Sequence, residues 1–293
     1  MGEYVLSCCS TADLSKEDFI SRDIHYISNF YQIDGVRYKD DLGETVSYPE
    51  FYQAIREGAV TKTSHINVES YVSYFDEFLA DGKDILHVTL SSGLSDTYKN
   101  ATKAKKILDK KYPERNIYIV DSMAASSGYG LIMETLADKR DEGVGIKELY
   151  RWIIDHRMNM NHILFSTNIS TYLRGGRLSK KSNIVKSAVN YCQFLYMNYL
   201  GELVVRGRIR GKKNAYKLVV DKAVESAGDD YKGRVFISNS DCKEDAIKVA
   251  DMIKKRLPKI RGDVEIRDIG NTVGSHAGPG TVAIYLWGTP RVS

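Results

Sequence analysis

Between residues 84 and 121, two short apolar runs flank a longer amphipathic one: DILHVTL (84–90), SDTYKNATKAKKILDKKY (95–112) and NIYIVD (116–121). The outer two read as strands and the middle one as a helix. Strand, helix and strand in that order make a right-handed crossover between parallel neighbours, and ligands of such sheets gather beyond the carboxyl ends of the strands. Two hydroxyl clusters fall there, SSGLSDTY (91–98) and SMAASSGYG (122–130), each leading into a helix. Free N–H groups at those helix starts favour an anion. Serine and aspartate also cap helices with no ligand present.

The flanking segments extend the alternation. EYVLSC (3–8) reads as a strand and SKEDFISR (15–22) as a helix capped by Ser15. HYISNFYQI (25–33) reads as one strand that GVRYKD (35–40) continues as a hairpin, and Pro49 opens the helix PEFYQAIREG. NVESYVSYFDEFLADG (67–82) reads as a further helix. From about residue 160 the pattern shifts towards antiparallel pairing. HILFSTN, QFLYMNY, ELVVRGRIR, RVFIS, DVEIRDI and TVAIYLW read as strands, with helices near 212–228 and 241–256. STYLRGGRLSKKSN (170–183) reads as an exposed glycine and basic loop, and VGSHAGPG (273–280) as a turn that holds His276. The expected fold is α/β in two domains, residues 1–160 with a mostly parallel sheet and 161–293 with a mixed or antiparallel one. At 293 residues the chain is long enough for both.

Hydrophobic residues make up 43 % and charged residues 27 %, and no run reaches the eighteen or so apolar residues that span a bilayer. The start lacks the basic and apolar regions of a signal peptide. Cys8, Cys9, Cys192 and Cys242 form no CxxC pair, so no zinc site or disulfide framework is expected, and a reducing cytoplasm fits. The net charge of +4 is uneven, because residues 171–217 hold eleven Lys and Arg against Glu202 alone. Such a stretch faces either solvent or an anionic partner. Walker A, HExxH, GxSxG and GxGxxG patterns are all absent, which removes the usual arguments for nucleotide, metalloprotease, hydrolase or dinucleotide chemistry. A lone histidine in a turn is by itself ordinary structure.

Six stretches taken together say more. STADLS (10–15), KTS (62–64), TLSSGLSDTY (89–98), YIVDS (118–122), YLRGGRLSK (172–180) and SHAGPGTVAI (275–284) resemble the DegV family in order and spacing across nearly the whole chain. The resemblance implies a lipid carrier similar to the fatty-acid-binding subunit of bacterial fatty acid kinase. It would hold a long-chain fatty acid between two α/β domains, with no cofactor, no metal and no catalysis of its own. A separate ATP-dependent kinase subunit related to dihydroxyacetone kinases would form the acyl phosphate for phospholipid synthesis. Membrane contact would be at most transient.

Carried over by position, Thr63, Ser92 and His276 would bind the carboxylate. Ser64, Ser91, Ser95 and His65 are candidate neighbours of the head group. Arg177, Arg210 and the less regular Arg174 would face the kinase or the transferred phosphoryl group. The chain departs from the family pattern at Cys9, where relatives carry aspartate, at His65 within TSHIN, and at Asp96. Tyr191, Phe194, Tyr196 and Met197 are tunnel-lining or core residues. Two other classes remain at this stage: a polyanion or nucleic-acid binder acting through residues 171–217, and an enzyme that uses His276 on a small carboxylate or phosphate.

Overall fold

The computed structural model describes residues 4–179 and 190–291. The chain opens with β1 (Tyr4–Cys9), α1 (Lys16–Ser21) and β2 (Ile24–Ile27), followed by the hairpin of β3 (Phe30–Ile33) and β4 (Val36–Lys39). Next come α2 (Tyr48–Arg56), β5 (Thr61–Ser64), α3 (Val68–Ala80), β6 (Asp84–Thr89), α4 (Thr97–Lys111), β7 (Ile117–Asp121), α5 (Ser126–Asp141) and α6 (Ile146–His156). The remainder is β8 (Met160–Ser166), α7 (Ser170–Gly175), β9 (Tyr191–Met197), β10 (Leu203–Arg210), α8 (Lys212–Ala227), β11 (Val235–Asn239), α9 (Lys243–Arg256), β12 (Glu265–Asp268), α10 (Asn271–Ala277) and β13 (Thr281–Trp287).

These strands form three sheets: a parallel one in the order β2-β1-β6-β7, a mixed one in the order β10-β9-β8-β13-β11-β12, and a small antiparallel one in the order β4-β3-β5. The α/β class, with a parallel first sheet and a mixed second one, is as the sequence leads one to expect. Helix α5 is buried on nearly every face and packs against β1, β8, β11 and β13, so it lies at the junction of the two larger sheets. One core runs through that junction and takes Leu6, Val88 and Leu136 together with Met160, Leu195 and Tyr285. A second core, around Val219, Ile237 and Ile284, packs under α8 and α9. The mixed sheet begins at Met160, while the first core is continuous across that position.

Three local readings are corrected. The single strand read at 25–33 is broken at Ser28 and Asn29. There the Asn29 N–H donates to Ser10 Oγ (3.0 Å) and its carbonyl accepts from Asp40 N (2.9 Å), which carries the chain out of the parallel sheet. The loop read at 170–183 contains α7, whose Thr171 and Tyr172 are buried and whose end is set by Gly176 at φ 66°. Lys180 and Lys181 of that stretch lie outside the described residues, as does Lys186. The turn read at 273–280 is largely α10, with His276 in its last turn.

Candidate functional site

Strand β5 pairs with β3 and sets Thr63 opposite Tyr31, close to the start of α3. Helix α10 packs against β5, β3 and α7. These contacts bring the Thr63 Oγ1 and His276 Nε2 atoms to 2.8 Å. Around that pair a cavity opens, with about 850 Å³ of atom-free space, its mouth included.

One end of the cavity is polar. Thr63, Ser64 and His65 come from β5 and its exit, Ser95 from the loop after β6, Arg177 from the segment after α7 and His276 from α10. His65 Nδ1 lies 3.0 Å from Ser95 Oγ, which in turn lies 2.7 Å from Thr97 Oγ1. Arg177 is half-buried, donates to the Gly175 carbonyl (2.6 Å) and has no ion pair among the described residues. Burial lowers its pKa. Burial also holds His276 down at about 4, with Arg177 and then His65 adding to the effect, so its ring is neutral at neutral pH. His276 Nδ1 is buried without a partner, and a Cβ on Gly175 would stand 2.5 Å from it. An orphaned N–H costs more than an orphaned lone pair, so the proton belongs on Nε2 and is donated to Thr63 Oγ1. The Thr63 hydroxyl proton is then free to point at an anion.

The body of the cavity is apolar, built by Leu90, Leu94, Leu164, Met197, Leu203 and Ala283. Tyr172 and Tyr285 add aromatic wall, and Ser126 lies beyond them with its hydroxyl on Asp13. Burial pushes the Asp13 carboxyl well above its usual range. A mouth of hydroxyl and imidazole donors with one guanidinium, set on an apolar interior, suits an amphiphile with a single anionic head.

The family model described as "Uncharacterised protein, DegV family" matches residues 9–288. The chain belongs to the DegV family. It is 33 % identical to a DegV domain-containing protein of Clostridium perfringens over 99 % of both chains. It is 28 % identical to a protein of Thermotoga maritima named "Fatty acid-binding protein", over 94 % of this chain and 95 % of the other. Among solved structures, a DegV lipid-binding protein of Thermotoga maritima superposes with a TM-score of 0.85 at 26 % identity, covering 99 % of this chain and 100 % of that one.

Of the candidate site residues, the structure gathers Thr63, Ser64, His65, Ser95, Arg177 and His276 around one mouth. The two serines after Leu90 part from them. Ser92 is exposed, donates its N–H to Asp121 Oδ1 (3.1 Å), and lines an outer depression that shares His65, Leu94, Ser95 and Arg177 with the mouth. Ser91 is fully buried, and its hydroxyl donates to the Gly201 carbonyl (2.7 Å). It therefore clasps the β9–β10 turn and does not face the cavity. Arg174 is exposed on α7 and Arg210 is exposed at the end of β10, and neither lines the cavity. Asp96 precedes α4 in the outer depression, whereas Cys9 is buried with its Sγ 3.3 Å from the Tyr71 hydroxyl.

Of the four β9 residues singled out, only Met197 lines the cavity; Phe194 and Tyr196 line a second pocket, and Tyr191 lies under the Arg208 guanidinium. Ser126 falls in the SMAASSGYG cluster noted from the sequence, whereas Leu164, Tyr172, Ala283 and Tyr285 were missed. The strand signal on TVAIYLW marked the last two only as sheet residues. The exposed arginines of β10 alternate along the edge of the mixed sheet, where charge discourages pairing with another strand. Among the described residues there is no His, Cys, Asp or Glu cluster able to hold a metal ion, and no helix long and apolar enough to cross a membrane.

Proposed function

We propose that this protein binds a long-chain fatty acid in the cavity and presents its carboxylate to a separate ATP-dependent kinase subunit. The observation that carries the reading is the pairing of a polar mouth of neutral donors and Arg177 with an apolar body. The relatives described as lipid-binding and fatty-acid-binding support it. Burying about fifteen methylenes at ~0.8 kcal/mol each gives about 12 kcal/mol before the entropy of association is subtracted. The carboxylate accepts from the Thr63 hydroxyl, and Arg177 supplies positive charge at the mouth. A kinase of the dihydroxyacetone kinase class would bring ATP to that mouth. One carboxylate oxygen attacks the γ-phosphorus, ADP leaves, and an acyl phosphate forms. The present chain supplies alignment and charge for this transfer. A cytoplasmic site of action follows from this reading, because the substrate ATP is there.

Protein purified from cells is expected to release fatty acid on denaturation, detected by mass spectrometry. No lipid, together with no uptake of added palmitate, would overturn the binding reading. Loaded protein with ATP and such a kinase subunit should yield a hydroxylamine-trappable acyl phosphate; bound lipid that no such kinase phosphorylates would overturn the presentation role alone.

A further inference from the structure

His162 and Met197 form part of the cavity wall and also part of the wall of a second pocket, with about 980 Å³ of atom-free space, its mouth included. That pocket has one apolar side, made by Ile163, Phe194 and Tyr196. Its other side holds Arg291, which is only 8 % exposed. Among the described residues the Nε and Nη1 atoms of Arg291 have no hydrogen-bond partner, and Nη2 reaches the Arg157 carbonyl (3.4 Å) and Met158 Sδ (3.8 Å). Among the described residues Arg291 has no ion pair. The nearby carboxylates are engaged elsewhere. Glu225 pairs with Lys222 (2.6 Å), and Asp121 accepts from the N–H groups of Ser92 and Met123. The Ser226 hydroxyl, also on this pocket, is buried and unpartnered as well. Burial acts most strongly against the guanidinium charge, Asp121 offsets part of that and Arg157 adds to it, so the group is held down at about 10.

A cation taken out of water needs a counter-charge, and among the described residues Arg291 has no ion-paired one, only the field of Asp121 at longer range. We propose that this pocket is a second ligand site, for the carboxylate of a short acyl anion, with Arg291 as counter-charge and the Ser226 hydroxyl as a further donor. A guanidinium matches the planar carboxylate through two parallel N–H donors. The acyl chain lies against Ile163, Phe194 and Tyr196. The Arg206 guanidinium, stacked 4.6 Å over the Tyr196 ring, adds positive charge nearby. The site is distinct from the fatty-acid cavity, because the lining shared between them is confined to His162 and Met197.

The test is a titration of methyl-labelled full-length protein with hexanoate, hexanol and inorganic phosphate, before and after incubation with palmitate. The Ile163 methyl reports the second pocket and the Leu94 methyls report the first cavity, so failure of one site is read separately from failure of the other. Saturable movement of the Ile163 methyl by hexanoate, weaker by at least tenfold in Arg291→Met and within about threefold of wild type in Arg291→Lys, is the expected result. No saturable shift in wild type, or equal affinity in Arg291→Met, overturns the site. Hexanol binding as tightly as hexanoate overturns the counter-charge, and phosphate binding as tightly overturns the acyl class. Should Arg291→Met fail to fold, the wild-type comparison of hexanoate with hexanol decides the same question.

Discussion

Thr63 and His276 are 213 positions apart in the chain, yet their Oγ1 and Nε2 atoms meet at 2.8 Å. The contact joins the small antiparallel sheet to the helix before β13, and it turns a hydroxyl into an oriented donor. If a fatty carboxylate sits at this mouth, Thr63→Val removes that donor and strands the His276 N–H. A hydrogen bond to a charged group contributes about 1.5–3 kcal/mol, so palmitate affinity should fall roughly 10- to 100-fold in a fluorescence displacement assay. Ser92→Ala, on the exposed side of the loop, should stay within about threefold of wild type. An equal loss in both variants would move the head-group site outward and sink the arrangement described above.

Why was the mouth only partly legible in the sequence? The parallel sheet was, because βαβ alternation is a local pattern that DILHVTL and NIYIVD carry within themselves. Strand β5 was not, since TKTS has no apolar alternation and becomes a strand only by pairing with β3. Helix α10 hid behind Gly274, which reads as a turn residue. In the fold Gly274 is a packing contact, for a Cβ there would lie 2.6 Å from the Tyr52 hydroxyl. The motif match drew in Ser91, Ser92, Thr63 and His276 alike. Which of two adjacent serines faces a cavity depends on a turn whose closing bonds, Ser91 N to Ala124 O and Ser91 Oγ to Gly201 O, come from distant chain.

Three buried histidines make stability fall in acid. Burial holds His87 and His162 down at about 3 and His276 at about 4, against an ordinary value of 6.5. Each is neutral when folded and gains a proton on unfolding below about pH 6.5, so its contribution is full above that pH and is lost as the pH falls towards the folded value. Asp13 and Asp40, pushed up by burial, act in the opposite sense, so the summed slope is less than that of three protons. His87→Asn isolates one of them. Urea denaturation between about pH 6 and 4 should show a slope smaller than wild type by about 1.4 kcal/mol per pH unit. An unchanged slope would mean that His87 is charged when folded.

Glu134 ties the two larger sheets together. Its side chain on α5 is 5 % exposed and meets Arg234 Nη1 at 2.7 Å and Arg267 Nη2 at 3.4 Å, both from the C-terminal half. Without its charge, Arg234 keeps only the more exposed Glu265 and Arg267 keeps Glu265 and Asp18, so two largely buried guanidiniums are under-compensated. Glu134→Gln should therefore cost about 3 kcal/mol in urea denaturation. Glu265→Gln touches the same two arginines from a side chain that is 36 % exposed, and should cost under about 1 kcal/mol. Equal costs for the two would show that α5 is not held by this cluster.

Ala283 tests the depth of the cavity. It lies on β13 opposite Leu164, is fully buried, and lines the apolar body together with Leu164 and Met197. A phenyl ring at this position occupies the space an acyl chain needs while leaving the Thr63 and His276 mouth intact. Overpacking of this kind costs about 1–3 kcal/mol of stability, which thermal unfolding will register. If the chain of the ligand runs past Ala283, Ala283→Phe should weaken palmitate by roughly 100-fold, as calorimetry can measure, since each methylene excluded forfeits ~0.8 kcal/mol. Decanoate, which needs less depth, should lose about tenfold less, and Ala283→Val should fall between wild type and Phe. Palmitate held by Ala283→Phe as tightly as by wild type would place the acyl chain elsewhere, whatever the mouth binds.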